Sequence, residues 1–401
     1  MPESKPRRPV NVRRPEVREQ VARDISRYAS PLVEQLRANG NRLLLPNLEL
    51  HLADSFGFCD GVRRAIEIAY AAIRLFKDRR IWLIGEIIHN PEVNSRLDAL
   101  GMRHLPWRED DPAYDALTED DVVIIPAFGV TRSMRAKLEG QGVQLVDSTC
   151  GNVIKVWQRV RSYAAAGVTS VIHGKARHEE SMATASQSCG EGGAGNFIMV
   201  LDEREAQMVA DFITGKQTAA TLLEQFADRV SPGFNPELHL REIGLANQTT
   251  MLKSETARIQ EILRAAVVQR DGNDSRFHVF DTICDATQSR QDALFKLLDL
   301  DLDAMMIIGG YNSSNTTHLA QIANERVHTY FVKDASCLES TGSIRCYDFV
   351  ARQETERPLP RGAADMQRVL KVGITAGASC PANVIEQVIR RLAELRGCPL
   401  P

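Results

Sequence analysis

Three of the eight cysteines share one local setting. Cys59 follows LELHLADSFGF and precedes DGVRRAIEIA, Cys150 follows VQLVDST and precedes GNVIKVWQRV, and Cys284 follows FHVFDTI and precedes DATQSRQDALFKLL. In each case a β-rich run hands over to a helical one. A helix start offers free N–H groups and the positive end of a dipole, which lowers a thiol's pKa and favours the thiolate that binds metal. In open α/β sheets ligands also gather at the carboxyl ends of strands. One such cysteine reads equally well as a buried thiol; three in the same setting, one per third of the chain, point to a single soft metal centre. No two cysteines form a CxxC pair, so a closely spaced zinc site is disfavoured. Three thiolates could hold zinc with an open position. They could also hold a [4Fe-4S] cluster with one iron left open to bind a substrate oxygen and pass electrons, and the polar residues described below favour the cluster. Asp147 and Asp281, each three residues before a cysteine, suggest an internal repeat.

The elements that must position these thiols can be read from the hydrophobic rhythm. From Leu43 onward short β-rich runs (LELHLA, IWLIGEI, VVIIPAF, VQLVD, SVIHG, FIMVLD, EIGLANQ, FHVFD, AMMIIGG, TYFVKD, KVGITAG) alternate with helical stretches. This is the pattern of βαβ units and a parallel sheet, so the fold class is α/β. At 401 residues the chain suggests two or three units. We divide it into an N-terminal extension (1–42, with a helical pattern from Pro15 to Ala38) and three α/β domains at 43–149, 150–283 and 284–401. The Gly-rich CGEGGAGN at 189–196 and the charged, Pro-containing segment 352–365 read as exposed loops. CGEGGAGN follows a helix and precedes a strand, the reverse of the order a phosphate loop needs. Lys+Arg 49 against Asp+Glu 52 gives a net charge of −3, which argues against nucleic-acid binding. No apolar run reaches the roughly 18 residues of a membrane span, and the first twenty residues lack a secretory apolar core. The expected compartment is the cytoplasm, where disulfides are disfavoured and the remaining cysteines read as packed thiols.

Around the cysteines stand eight ordered motifs: GFCDGVRRAI, GEIIHNPEV, DSTCGNVIKVW, HGKARHEES, NQTTM, DTICDATQSRQ, NSSNTTHL and GITAGASCP. Together, over about Leu43 to Leu392, they resemble the 4-hydroxy-3-methylbut-2-enyl diphosphate reductase family. The resemblance implies three α/β domains in a pseudo-threefold arrangement around a central iron–sulfur cluster. It also implies reductive removal of a hydroxyl from a small allylic diphosphate, the last step of the methylerythritol phosphate route to isopentenyl and dimethylallyl diphosphate. The motifs offer few Lys or Arg for the diphosphate, but neutral donors and helix-start N–H groups can bind phosphate in an enclosed site. His89, Ser313, Ser314, Asn315 and Ser379 are the donors so placed. Ser313 and Ser379 would otherwise read as ordinary residues at helix starts.

The resemblance further assigns His178 to the diphosphate, Glu180 to proton delivery and Thr249 to a hydroxyl relay. Removing hydroxide reductively requires electrons, a proton for the leaving oxygen and another for the allyl carbon. Glu180 is the expected general acid, because anions beside it disfavour its carboxylate form. Two positions depart from the family pattern. Phe128, in PAFGV, stands where many members carry a diphosphate-binding His, and Cys380 follows Ser379 where a small non-thiol residue is usual; the latter reads as a packed thiol. The Phe form, the HGKxxHEE order and the N-terminal extension resemble the cyanobacterial and plant-type branch, which implies ferredoxin or flavodoxin as electron donor. A hydro-lyase using the open iron only as a Lewis acid, and an iron–sulfur redox sensor, are the competing readings that retain the cluster.

Overall fold

The computed structural model describes residues 10–280, 283–339, 342–349, 351–359 and 367–400. Asp281 lies outside the described residues. The chain packs as two units, one built chiefly of Phe76–Ile87 and Gly101–Cys284, the other of Arg13–Leu75, Ile88–Leu100 and Asp285–Pro401.

The first unit holds two four-stranded sheets, parallel throughout. One runs Arg103–Leu105, Ile81–Ile84, Val122–Ile125, Gln144–Asp147, and the other Phe277–Val279, Ile243–Asn247, Thr169–His173, Phe197–Val200. Central strands covered on both faces need apolar side chains at every position, and this is why VVII reads as a continuous run and is wholly buried. Val123, Ile125, Met134 and Leu138 form the core on one sheet, and Val171, Val200, Leu245, Ile259 and Leu263 the core on the other.

In the second unit a five-stranded sheet runs Arg42–Leu45, Leu48–Leu52, Leu370–Ala376, Ala304–Ile308, Thr329–Val332, antiparallel only at the first pair. Leu48–Leu52 thus pairs with a strand more than 300 residues later. The N-terminal segment is two helices, Pro15–Ser26 and Pro31–Ala38, where one helical pattern was expected. The break is made by Ser30, whose hydroxyl caps Val33 N, and by Pro31 at the first helical position. Both helices are packed into this unit: Val33 and Leu36 enter its core, and Asp24 takes a bidentate Arg74. The segment expected as a loop at 352–365 begins instead with a strand, Gln353–Pro358, antiparallel to Ser343–Asp348. Its polar alternation is that of an exposed outer ribbon whose partner buries Ile344 and Cys346. Among the described residues no helix is long and apolar enough to cross a membrane.

The expected strand-to-helix setting of the cysteines is present at all three. Cys59 precedes helix Asp60–Leu75, Cys150 is the N-cap residue of Gly151–Ala165, and Cys284 precedes Asp285–Leu298. At 189–196 a helix ends and a strand begins, as expected. A Cβ on Gly195 would lie 2.1 Å from Ser188 O, so this turn is packed rather than an open phosphate cradle.

Candidate active site

In the second unit, turns at the strand ends bring five of the expected residues together. Strand Ala304–Ile308 ends in Gly309-Gly310, and a Cβ on Gly310 would meet His89 O at 2.7 Å, so glycine there lets the turn close on the His89 backbone. Ser313 then caps helix Ser314–Asn324, and its Oγ accepts from Thr316 N and from Thr316 Oγ1 at 2.9 Å. Ser379 Oγ donates to His89 O at 3.1 Å and lies 3.4 Å from Ser313 Oγ. Asn312 donates its amide to His89 Nδ1 at 3.2 Å, which makes Nδ1 the acceptor and leaves the neutral ring's proton on Nε2. Asn315 Oδ1 accepts from Ala378 N at 2.9 Å, and this fixes which way the amide faces.

His89, Ser313, Ser314, Asn315 and Ser379 are buried, whereas Asn312 is exposed. Among the described residues, Ser314 Oγ and Asn315 Nδ2 find no hydrogen-bond partner in the protein. Two buried donors left unspent at a helix N-terminus are where an oxyanion fits. Cys59 joins the same cluster: its N–H donates to Ala378 O at 3.2 Å, and its Sγ accepts from Val62 N at 3.4 Å.

The first unit brings together His178, Glu180, Thr249 and Cys284. Glu180, 3% exposed, sits in the first turn of helix Glu179–Ser188. Thr249 N donates to its Oε1 at 2.6 Å and Thr249 Oγ1 to its Oε2 at 3.1 Å. Cys284 N donates to Thr249 O. His178 is the N-cap residue, and its Nδ1 accepts from Glu180 N at 3.1 Å, so Nε2 carries the proton of the neutral ring. Phe128 sets its ring edge-on against His178 at 5.7 Å, so it supports the imidazole's orientation instead of supplying a donor. Cys150 N donates to Ala127 O, and Thr149 binds Asp147 Oδ1 through both N–H and hydroxyl, which fixes the turn that presents the thiol. Cys59 belongs to the second unit, Cys150 and Cys284 to the first.

Two residues inside the quoted motifs had no assigned role. Asn312, which orients His89, is one. The other is Gln248, wholly buried: its Oε1 accepts from Lys175 N and Ser181 Oγ, and its Nε2 donates to Thr250 Oγ1. It therefore ties together the segments that carry His178, Glu180 and Thr249. Its position in NQTTM, beside the expected Thr249, was the available signal.

The family model described as LytB protein matches residues 50–393. The chain belongs to the LytB family. Among LytB relatives, the 4-hydroxy-3-methylbut-2-enyl diphosphate reductase of Synechococcus sp. (strain RCC307) is 44% identical over 374 residues, covering 92% of this chain and 89% of the relative. The enzyme of that name from Gloeobacter violaceus is 42% identical, covering 92% and 88%. A solved structure of (E)-4-hydroxy-3-methyl-but-2-enyl diphosphate reductase, described as the terminal enzyme of the non-mevalonate pathway, superposes with a TM-score of 0.52 at 26% identity. It covers 86% of this chain and 99% of that one. The Plasmodium falciparum E-1-hydroxy-2-methyl-but-2-enyl-4-diphosphate reductase shares the fold, with a TM-score of 0.63 at 20% identity over 87% and 89%.

Proposed function

We infer that this chain reduces (E)-4-hydroxy-3-methylbut-2-enyl diphosphate to isopentenyl diphosphate and dimethylallyl diphosphate, the last step of the methylerythritol phosphate route, with Cys59, Cys150 and Cys284 holding a [4Fe-4S] cluster. The reaction runs in the cytoplasm on electrons from ferredoxin or flavodoxin. Membership of the LytB family supports the activity. The observation that carries the substrate class is the pair of buried donors without a partner among the described residues, Ser314 Oγ and Asn315 Nδ2, beside Ser313, Ser379 and His89. These are neutral groups whose hydrogen-bonding capacity suits phosphate oxygens, with His178 as a further donor through Nε2.

The donor set fits an iron–sulfur cluster. All three thiols are half-buried and stand outside any disulfide among the described residues, each is at a helix start, and Cys59 Sγ already accepts an N–H hydrogen bond of the kind that steadies cluster thiolates. When bound, the cluster supplies electrons and one Lewis-acidic iron. The protein's own part is binding and proton handling. Glu180 Oε2 and Thr249 Oγ1 share a hydrogen bond along which a proton on the carboxyl can pass to the hydroxyl and on to a departing oxygen. Burial of both residues keeps bulk water from short-circuiting that transfer.

The test is anaerobic reconstitution with iron and sulfide, followed by reduction of the substrate with reduced methyl viologen. Expected are about four irons per chain and both isomeric products. A protein that loads iron and sulfide fully yet leaves the substrate unconsumed would overturn the reading.

A further inference from the structure

We propose that the face of helix Gly151–Ala165 carrying Ile154, Lys155, Gln158 and Arg159, extended by Phe280, is the docking surface for an acidic electron-carrier protein. The proposal rests on the reductase reading above. In that reaction the allylic C–O bond breaks, the oxygen leaves as water after taking one proton, and a second proton forms the new C–H bond. Two electrons balance the change. Two reduced one-electron carriers supply them, each oxidised once, and a carrier must therefore dock on the protein twice per turnover.

The helix begins one residue after Cys150. Its inward face, Val153, Val156, Trp157 and Val160, is buried. Its outward face carries an apolar residue that the core does not use: Ile154 is 37% exposed. Phe280, four residues before Cys284, is 41% exposed, and Arg159 lies over its ring at 4.1 Å. A single exposed apolar residue needs no explanation. Here an exposed aromatic ring is held beneath a guanidinium, on a helix whose i, i+4 pairs are Ile154 with Gln158 and Lys155 with Arg159.

Charge decides the occupant. The helix carries Lys155, Arg159 and Arg161 and no acidic residue, in a chain whose net charge is −3. Arg161 is spent on Gln187 Oε1, which leaves Lys155 and Arg159 to give the outward face its sign. An apolar centre with a basic rim beside a ligand cysteine suits an acidic partner, whose approach opposite charge accelerates and whose electrons then have a short path.

The experiment compares wild type with K155E/R159E and, separately, Phe280→Ser, all reconstituted anaerobically. Turnover is driven either by an acidic plant-type [2Fe-2S] ferredoxin kept reduced enzymatically or by reduced methyl viologen, which needs no docking face. Expected is a rise of about tenfold or more in the KM for ferredoxin in the charge variant, with a flattened salt dependence, and a smaller rise for Phe280→Ser. Iron content, melting temperature and the viologen-driven rate should stay at wild-type values. An unchanged ferredoxin KM in both variants would overturn the proposal. So would equal losses with ferredoxin and viologen, which would mark structural damage, or dissociation of a dimer with ferredoxin kinetics intact, which would make the face a contact between copies of this chain. A wild-type protein inert with viologen as well would instead defeat the reductase reading, and the docking surface with it.

Discussion

The polar clusters of the two units follow opposite rules. In the first, both oxygens of Glu180 are engaged by Thr249, and the Gln248 amide makes three hydrogen bonds. In the second, Ser314 Oγ and Asn315 Nδ2 are buried and, among the described residues, have no partner. A buried donor without a partner costs about 1–3 kcal/mol, and where two such donors meet at one helix N-terminus a ligand can offset that cost. A proton relay must be held rigidly before substrate arrives, whereas a grip must keep its donors for the ligand. On the proposed function, the comparison puts the proton relay in the first unit and, His178 aside, the diphosphate grip in the second.

The largest effect expected is on Cys59, the one proposed ligand in the second unit. Cys59→Ser should abolish a stable cluster, and full iron content in that variant, measured after anaerobic reconstitution, would sink the assignment. Next comes the relay. Glu180→Gln keeps the shape and can still bond to Thr249 but cannot deliver a proton, so turnover should fall about 10² to 10⁴ fold while the cluster spectrum and substrate KM hold. A rate within a few-fold of wild type would leave Glu180 as an acid that merely favours the helix dipole.

The grip gives a smaller but sharper reading. Asn315→Asp keeps the acceptor that holds Ala378 N but replaces the unspent donor with a negative oxygen facing the ligand. The KM should rise roughly 10- to 100-fold, the range of a lost hydrogen bond to a charged group, with kcat little changed. An unchanged KM would put the diphosphate elsewhere.

Much of this arrangement was legible in sequence, for local reasons. A cysteine between an apolar strand and a helix, or NSSN after AMMIIGG, is a statement about a few adjacent residues, and chain geometry decides where their side chains go. What could not be read was set by distant partners. Nothing in LELHL says that its neighbour is LKVGITA, and the ribbon at Gln353–Pro358 is recognisable only once Ser343–Asp348 lies beside it. Gln248 and Asn312 belong to the same class, since their roles lie in residues they touch across 67 and 223 positions. The helix break at Ser30-Pro31 was a local signal that the longer apolar period overrode.

A stability measurement separates the two rules directly. Gln248→Met leaves Lys175 N and Ser181 Oγ without their acceptor and should destabilise the apoprotein by about 1–3 kcal/mol. Ser314→Ala removes a hydroxyl that has no partner among the described residues and should leave apoprotein stability unchanged or slightly raised. Chemical denaturation of both variants checks the pair. Equal losses would show that the second unit's donors are spent after all.

The smallest effect expected is at Cys380, which tests whether proximity alone makes a ligand. Cys380 lies two residues after Ala378, whose carbonyl holds Cys59 N, yet it is wholly buried, and burial pushes its thiol far above the ordinary range. Iron takes the thiolate, and burial that disfavours the charged form makes this thiol a poor ligand. Cys380→Ala should therefore retain full iron content and turnover and cost only about 1 kcal/mol in packing, a fall of about one degree in melting temperature. Iodoacetamide should label Cys59 in the native apoprotein and spare Cys380, because Cys59 is partly exposed and Cys380 is wholly buried. Loss of iron in Cys380→Ala, at unchanged melting temperature, would mean that the second unit contributes its ligand from the strand end after Leu370–Ala376 rather than from the start of helix Asp60–Leu75, and the assignment of Cys59 would fall with it.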